Sequence, residues 1–431
     1  MSVHLYDVPI VFVLIGLALY VVLGGADFGA GLWQLVTLIG DRGVHDRRAR
    51  DRPTREHAMR IREYAHHSMG PVWEANHVWL IFVLTVTWTA YPEAFGSIAS
   101  TLALPLLLAG LGVIARGAAY ALRSGTDDPR ELSRIDTLFA LASLLSPFAL
   151  GTVVGAIASE RVPVGNAAGG LFSSWLTPTS LLVGALAVVV SAYIAAVYLC
   201  ADAARAGHNE MRQAFRLRAL LAAALAGGLA LAGLVVLHGD AHRVFHRLLE
   251  GPGLPALVVS ALAGLATVAL LVAGRFDASR VSAALAVAAM IAGWALAQQP
   301  FILHGLSLSQ AAAPHETLVL EIIAIAVGAV ILFPSLGLLF SLVLHGRFDE
   351  QAARPDGGAP SGPITAHSLQ PSSPRQSLRA RLALAGLLAG VGLLTIAEAQ
   401  WAHGVGIACL FAAMILGFLA VEPQGLAARQ D

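Results

Sequence analysis

The chain has 431 residues, of which 57% are hydrophobic and 13% are charged, and its mean hydropathy is +0.72. Soluble domains carry about 25% charged residues, so this composition excludes an ordinary soluble protein and indicates a chain that lies in a membrane. The formal net charge of zero excludes a bulk attraction to nucleic acid, and the apolar runs lack the alternation of an outer-membrane β-barrel.

Apolar runs of about 20 residues, enough to cross about 30 Å of hydrocarbon as helix, recur along nearly the whole chain. They predict an all-α polytopic membrane protein with about eleven transmembrane helices. No Lys or Arg precedes the first run, so we expect a retained helix rather than a cleaved signal peptide. In chain order, the predicted helices span residues 8–39, 71–91, 93–115, 135–158, 179–201, 217–237, 254–274, 281–298, 318–345, 380–397 and 402–421.

The 27 Lys and Arg positions are all arginine, and they are distributed unevenly between the connections. Alternate connections hold 24 of them, at residues 40–70, 116–134, 205–218, 275–280, 346–381 and in the C-terminal tail. The other connections hold Arg161, Arg243 and Arg247. Because positive residues are retained on the cytoplasmic side, the pattern predicts an N-terminus outside and a C-terminus in the cytoplasm.

Composition divides the chain into four segments. Residues 1–345 contain nine of the predicted helices and are expected to form the membrane core. Residues 346–379 are rich in Pro, Gly and Ser and predict a flexible cytoplasmic linker. An additional transmembrane hairpin is predicted at residues 380–421, and residues 422–431 are predicted to be a cytoplasmic tail.

Asp27 lies inside the first predicted helix, in the sequence GGADFGAG. Gly25 and Gly29 form a G-x-x-x-G pattern, which typically allows another helix to approach closely. A carboxylate in hydrocarbon is costly and needs a partner. No cation is near in sequence, so either a partner comes from another helix or another chain, or desolvation keeps the carboxyl group protonated. Asp27 is therefore a candidate for either a proton relay or a structural acid.

The second predicted helix begins with the sequence GPVWEANHVW. Glu74 lies about 4.5 Å inside this helix if Pro71 is its first residue. Glu74 and His77 share a face, and Asn76 lies to one side. One interpretation is that Glu74 only complements the helix dipole, while Trp73 and Trp79 anchor the helix at the interface. The other is that Glu74, Asn76 and His77 form a polar site.

Arg116 ends the third predicted helix. It is either a positive anchor at the cytoplasmic interface or the partner of a carboxylate, a lipid or a quinone head group.

No metal site is predicted from the sequence. Cys200 and Cys409 form no C-x-x-C pattern, so we expect buried free thiols. The prolines and histidines near residues 294–318 are expected to shape an outer loop.

These stretches together resemble subunit II of the cytochrome bd quinol oxidases. The family pattern pairs a G-F-D-x-G-x-G-like segment with W-[DE]-x-N-x-V-W-L, which stands here as GADFGAG and WEANHVWL. The resemblance continues through RGAAYALR, SPFALGTVVGAI, WALAQQPF and AAAPHETL and covers about residues 8–345. Two positions depart from the pattern, because Ala26 replaces a common Phe and Ala121 replaces a common acidic residue.

The resemblance implies a function that composition alone does not. Such oxidases oxidise membrane quinol and reduce dioxygen to water at b-type and d-type haems, which subunit I holds. Subunit II would bind no haem or metal and would have no catalytic residue of its own. It would support subunit I as a heterodimer and contribute to proton uptake, making the enzyme electrogenic without a pump. A small accessory subunit and a structural quinone or lipid are further candidate partners. The resemblance also implies that the complex lies in a bacterial inner membrane.

The resemblance assigns candidate roles to the polar residues. Glu74 would admit protons from the cytoplasm near subunit I, Asn76 and His77 would hold its hydrogen-bond network, and Asp27 would be a deeper relay or a structural acid. Two alternatives remain open. The chain could be a proton-coupled secondary transporter that uses Asp27 and Glu74, or an assembly subunit whose carboxylates carry no protons.

Overall fold

The computed structural model describes residues 4–44, 60–61, 64, 72–123 and 128–344, and positions 381, 382, 385, 386, 389, 405, 409 and 412. The chain divides into two compact units, Met1–Leu339 and Phe340–Asp431. The predicted linker lies outside the described residues, as do nearly all of the predicted hairpin and the tail. All contacts described below lie within the first unit.

The described part of the chain is almost entirely helical. A 3-10 turn, Leu5–Asp7, precedes α1, and a π-helical turn, Tyr20–Gly24, joins α1 to α2. A short antiparallel pair, β1 and β2, follows α11. The elements are α1 Val8–Leu19, α2 Gly25–Val44, α3 Val72–Ala90, α4 Pro92–Thr101, α5 Ala103–Arg123, α6 Pro129–Ala158, α7 Pro178–Arg205, α8 Asn209–Asp240, α9 His242–Leu249, α10 Leu254–Val272, α11 Phe276–Gln298, β1 Phe301–Leu303, β2 Leu306–Ser307, α12 Leu308–Ala311 and α13 His315–Leu344.

The prediction of a helical multi-pass membrane protein is confirmed. Eight described helices are long and apolar enough to cross a membrane, and α3 adds a shorter apolar stretch, Asn76–Ala90. Large apolar side chains on these helices are exposed, as expected for surfaces that face lipid. The number of eleven helices and the orientation stay predictions.

The boundaries predicted for the third span, 93–115, are wrong. The apolar run is divided at Leu102 into the short helix α4 and the membrane-crossing helix α5. Pro92 and Pro105 each lie in the first turn of a helix, where a missing N–H costs nothing. At its other end α5 continues to Arg123, so Arg116 lies inside the helix rather than at its end.

The three arginines that break the positive-inside pattern are all bound within the fold. Arg161 pairs with Asp240 at 3.0 Å, and Arg243 pairs with Glu160. Arg247 donates to a backbone carbonyl of α11 at 3.1 Å. Carboxylates thus compensate two of the three positive charges. These two arginines therefore count less against the predicted orientation than free positive charges would.

Helix α2 packs against α6 and α7 because small residues line the contact. A Cβ added to Gly29 would lie 2.0 Å from the carbonyl oxygen of Ser191 and 2.6 Å from the Cβ of Ala195. A Cβ added to Gly25 would meet Ser191 at 3.6 Å, which is ordinary contact. Of the two glycines of the G-x-x-x-G pattern, Gly29 is therefore the one that the close approach requires.

Gly29→Ala is expected to destabilise the chain by about 1–3 kcal/mol, because the added methyl must displace the backbone of α7. Thermal unfolding in detergent measures this effect. Gly25→Ala is the matched control and should be neutral or slightly stabilising, since alanine favours helix and the space is free. Equal melting temperatures for the two variants would contradict the packing described here.

Candidate functional site

The π-helical turn lies directly before the sequence GADFGAG. Such turns insert one residue into a helix and are frequent at functional sites. Tyr20, the first residue of the turn, is only 4% exposed. Its hydroxyl oxygen has no hydrogen-bond partner among the described residues. This buried hydroxyl interacts electrostatically with Asp27 and Arg116.

Asp27 is buried, with 9% of its surface exposed. The side-chain amide of Asn76 donates a hydrogen bond to Asp27 Oδ2. The same nitrogen lies 3.5 Å from the carbonyl oxygen of Leu23, in the π turn. Asn76 thus links α3 to both the carboxylate and the backbone of the turn, which places Asp27 and Asn76 in one site.

Arg116 is the largest fully buried side chain among the described residues, with 1% of its surface exposed. Its guanidinium carbon lies 4.7 Å from the centroid of the Phe28 ring and 5.0 Å from that of Phe139. It also interacts electrostatically with Asp27. The cation that the sequence did not place near Asp27 therefore comes from α5, and two aromatic faces hold it.

His77 packs into the same cluster. The centroid of its ring lies 6.0 Å from that of Tyr20 and 5.9 Å from that of Phe28. His77 is thus a half-buried histidine that packs beside two aromatic rings, in the same cluster as Asp27 and Arg116.

Trp73 and Glu74 lie in the first turn of α3, but their side chains lie outside the described part of the structure. Glu74 is two residues nearer than Asn76 to the beginning of the helix. Trp79 packs edge-to-face on Phe82 of its own helix, with ring centroids 6.3 Å apart. Among the described side chains, Asn76 is thus the one that connects the beginning of α3, where Glu74 lies, with Asp27.

Sequence reasoning missed Gln34. It lies two helical turns after Asp27, about 10 Å along α2. The residue is fully buried, and both of its side-chain amide atoms lack a hydrogen-bond partner among the described residues. The signal was available, because positions seven apart share a helix face. Asp27 and Gln34 together make one face of α2 polar.

The sequence matches the family described as cytochrome bd terminal oxidase subunit II over residues 5–343. The chain belongs to this family. The match agrees with the range of about residues 8–345 over which the sequence motifs of subunit II were recognised.

Two individual proteins are similar to this subunit II chain. A segment of 86 residues is 29% identical to cytochrome bd ubiquinol oxidase subunit 2 of Bacillus subtilis (strain 168), covering 20% of this chain and 25% of that protein. The structure of bd oxidase from Geobacillus thermodenitrificans aligns with a TM-score of 0.58 at 23% identity, covering 79% of this chain and 99% of that chain. At this identity the structural likeness shows the fold.

Proposed function

We propose that this chain is the haem-free subunit II of a terminal oxidase that oxidises membrane quinol and reduces dioxygen to water. The family match over residues 5–343 carries the proposal. Subunit I would be its heterodimer partner in a bacterial inner membrane, with a small accessory subunit as a further candidate partner. Haems b and d supply the electron transfer and the oxygen chemistry when bound in subunit I.

The polar cluster on α2, α3 and α5 would serve proton uptake from the cytoplasm in this complex. Glu74 would admit protons at the beginning of α3. Asn76 would orient Asp27, because its side-chain amide donates a hydrogen bond to the carboxylate and cannot itself be ionised. Asp27 would be the deeper acid, and Arg116 would keep its negative charge tolerable in the membrane.

Burial and contacts support this assignment for Asp27. An intramembrane carboxylate that is hydrogen-bonded and has a cation nearby can persist in a low-dielectric region. Tyr20 in the preceding turn and Gln34 two helical turns further along α2 both bring polar atoms that lack partners among the described residues. Such atoms are the usual partners of buried water, which could connect the acids. Protons taken from the cytoplasm to form water would build a membrane potential without a pump.

An apolar groove provides a place for the structural quinone or lipid of such a complex. It has a volume of about 290 Å³ and lies between α2, α6, α7 and α8. Its lining includes Trp33, Val36 and Leu225, and the latter two are more than half exposed. Only an apolar tail suits this lining, so we assign the groove to an acyl or isoprenoid chain.

The absence of a haem from this subunit is directly testable. The chain purified away from subunit I is expected to contain no stoichiometric haem, because its sequence shows no pair of intramembrane histidine or methionine residues placed as axial ligands. Pyridine-haemochrome analysis measures the content. One haem per chain, lost in a His77→Ala variant, would show that this subunit holds a haem and would contradict the proposal.

A further inference from the structure

Three histidines follow one another at intervals of four residues where α8 ends and α9 begins. His238 is near the end of α8, and His242 and His246 lie on α9. The ring centroids of His242 and His246 are 4.7 Å apart, and their Nε2 atoms are 3.3 Å apart. This group is separate in sequence from the acids of the polar cluster and has no part in the proposed function.

The hydrogen bonds of the two rings fix their tautomers. Nδ1 of His242 lies 2.6 Å from the carbonyl oxygen of His238, which can only accept a hydrogen bond. Nδ1 of His246 lies 3.2 Å from Oε2 of Glu250, and a carboxylate likewise accepts. Both rings therefore donate from Nδ1, and in the neutral form both Nε2 atoms present a lone pair.

Two lone pairs that face each other at 3.3 Å repel unless a proton or a metal cation lies between them. The separation matches a metal ion. With metal–nitrogen bonds of about 2.0–2.1 Å and a tetrahedral angle, two ligand nitrogens are about 3.3–3.4 Å apart. The acceptors on Nδ1 also match, because metal-binding histidines usually donate their other N–H to a carboxylate or a backbone carbonyl.

We propose that His242 and His246 bind a divalent transition-metal ion through their Nε2 atoms, with Glu250 and the His238 carbonyl as orienting acceptors. Among the described residues no group of three or more metal-ligating side chains converges, so water completes the coordination. The site is accessible, since the side chain of His246 is 45% exposed and that of Glu250 is 73% exposed. The predicted topology places it on the outer face, where external ions reach it directly.

The site has a definite selectivity. Imidazole nitrogen suits Zn²⁺, Ni²⁺ and Cu²⁺ rather than Mg²⁺ or Ca²⁺, which prefer oxygen ligands. Affinity for such a site rises from Zn²⁺ and Ni²⁺ to Cu²⁺. We therefore expect Cu²⁺ to bind more tightly than Zn²⁺ and Mg²⁺ not to compete.

Metal binding to the purified complex tests the proposal. The complex carries an affinity tag without histidine, is stripped with a chelator, and is titrated with Zn²⁺ alone and with Cu²⁺ alone by equilibrium dialysis. The His242→Ala/His246→Ala double variant is expected to bind one ion fewer per chain than the wild type. Cu²⁺ bound to the wild type should show an electron paramagnetic resonance spectrum with two nitrogen ligands.

Two single variants complete the design. Glu250→Ala keeps both ligands but removes the acceptor of His246 Nδ1, and it should weaken Zn²⁺ binding about 10-fold to 100-fold, as removal of an orienting partner does. His304→Ala is the matched control, because His304 is an exposed histidine that contacts a carboxylate, Glu160, at 3.0 Å. It should leave binding unchanged. Equal metal content in the wild type and the double variant would overturn the proposal, and the two histidines would then share only a proton. An equal loss of metal in His304→Ala would also overturn the proposal, because it would show that binding to histidines is unspecific.

Discussion

Replacing Glu74 by glutamine is expected to lower the turnover of oxygen reduction about tenfold or more while the haem content of the complex stays unchanged. Glutamine keeps the size and much of the hydrogen bonding of the glutamate but cannot exchange a proton. Removing a positioned proton-transfer group typically costs about 10²–10⁴ in rate where that transfer limits turnover. Glu74→Asp should restore much of the activity. Oxygen consumption at saturating quinol, measured from pH 6 to pH 9, gives the rates.

The control for Glu74 is a second acidic residue that also lies in the first turn of a helix but has no proposed role in proton uptake. Glu131 lies in the first turn of α6, at an end that the arginine pattern also places in the cytoplasm. Glu131→Gln should change turnover little, since an acid at a helix beginning contributes only about 0.3–1 kcal/mol to stability. Wild-type turnover in Glu74→Gln would leave the assembly-subunit alternative standing.

Replacing Arg116 by methionine is expected to lower the free energy of unfolding by about 3–5 kcal/mol. Methionine fills part of the space between Phe28 and Phe139, so the main loss is the charge that compensates Asp27. An uncompensated buried charge is what makes the removal of one partner costly. Thermal unfolding of the complex in detergent, with the haem spectrum as a measure of assembly, reports the effect.

A double variant separates the charge from the packing. If Arg116 mainly compensates Asp27, then Asp27→Asn combined with Arg116→Met should recover a large part of the lost stability, giving a coupling of about 0.5–3 kcal/mol. Arg205→Met is the control, because the pair of Arg205 with Asp277 is exposed and such pairs contribute about 0–1 kcal/mol. Fully additive effects of the two changes would show that Arg116 acts through its aromatic contacts alone.

The helical membrane fold could be predicted because its cause is local. Each apolar run forms its own hydrogen bonds, so length and hydropathy identify the helices one by one. The ends of the helices are harder to predict from the sequence. The apolar run from Pro92 predicts one span that ends before Arg116. The structure instead divides the run at Leu102 and continues α5 past Arg116 to Arg123. For this reason the sequence placed Arg116 at an interface, whereas the structure buries it.

The partners of Asp27 could not be predicted because they come from other helices. The sequence indicated that a partner was needed, but its identity depends on how α2, α3 and α5 pack. Asn76 was singled out for its motif, and its contact with Asp27 emerged only in three dimensions. Tyr20 and Phe28 lacked any signal, since an aromatic residue in a membrane helix is usually ordinary packing.

The most direct test of the account is the composition and activity of the complex that this chain forms. The tagged chain is purified from its native membrane, and reduced-minus-oxidised spectra are recorded together with quinol-driven oxygen consumption. We expect a partner subunit that carries b-type and d-type haem, and oxygen consumption that depends on added quinol. A preparation without haem that consumes no oxygen, and that instead moves a solute together with protons in vesicles, would contradict it in favour of a transporter.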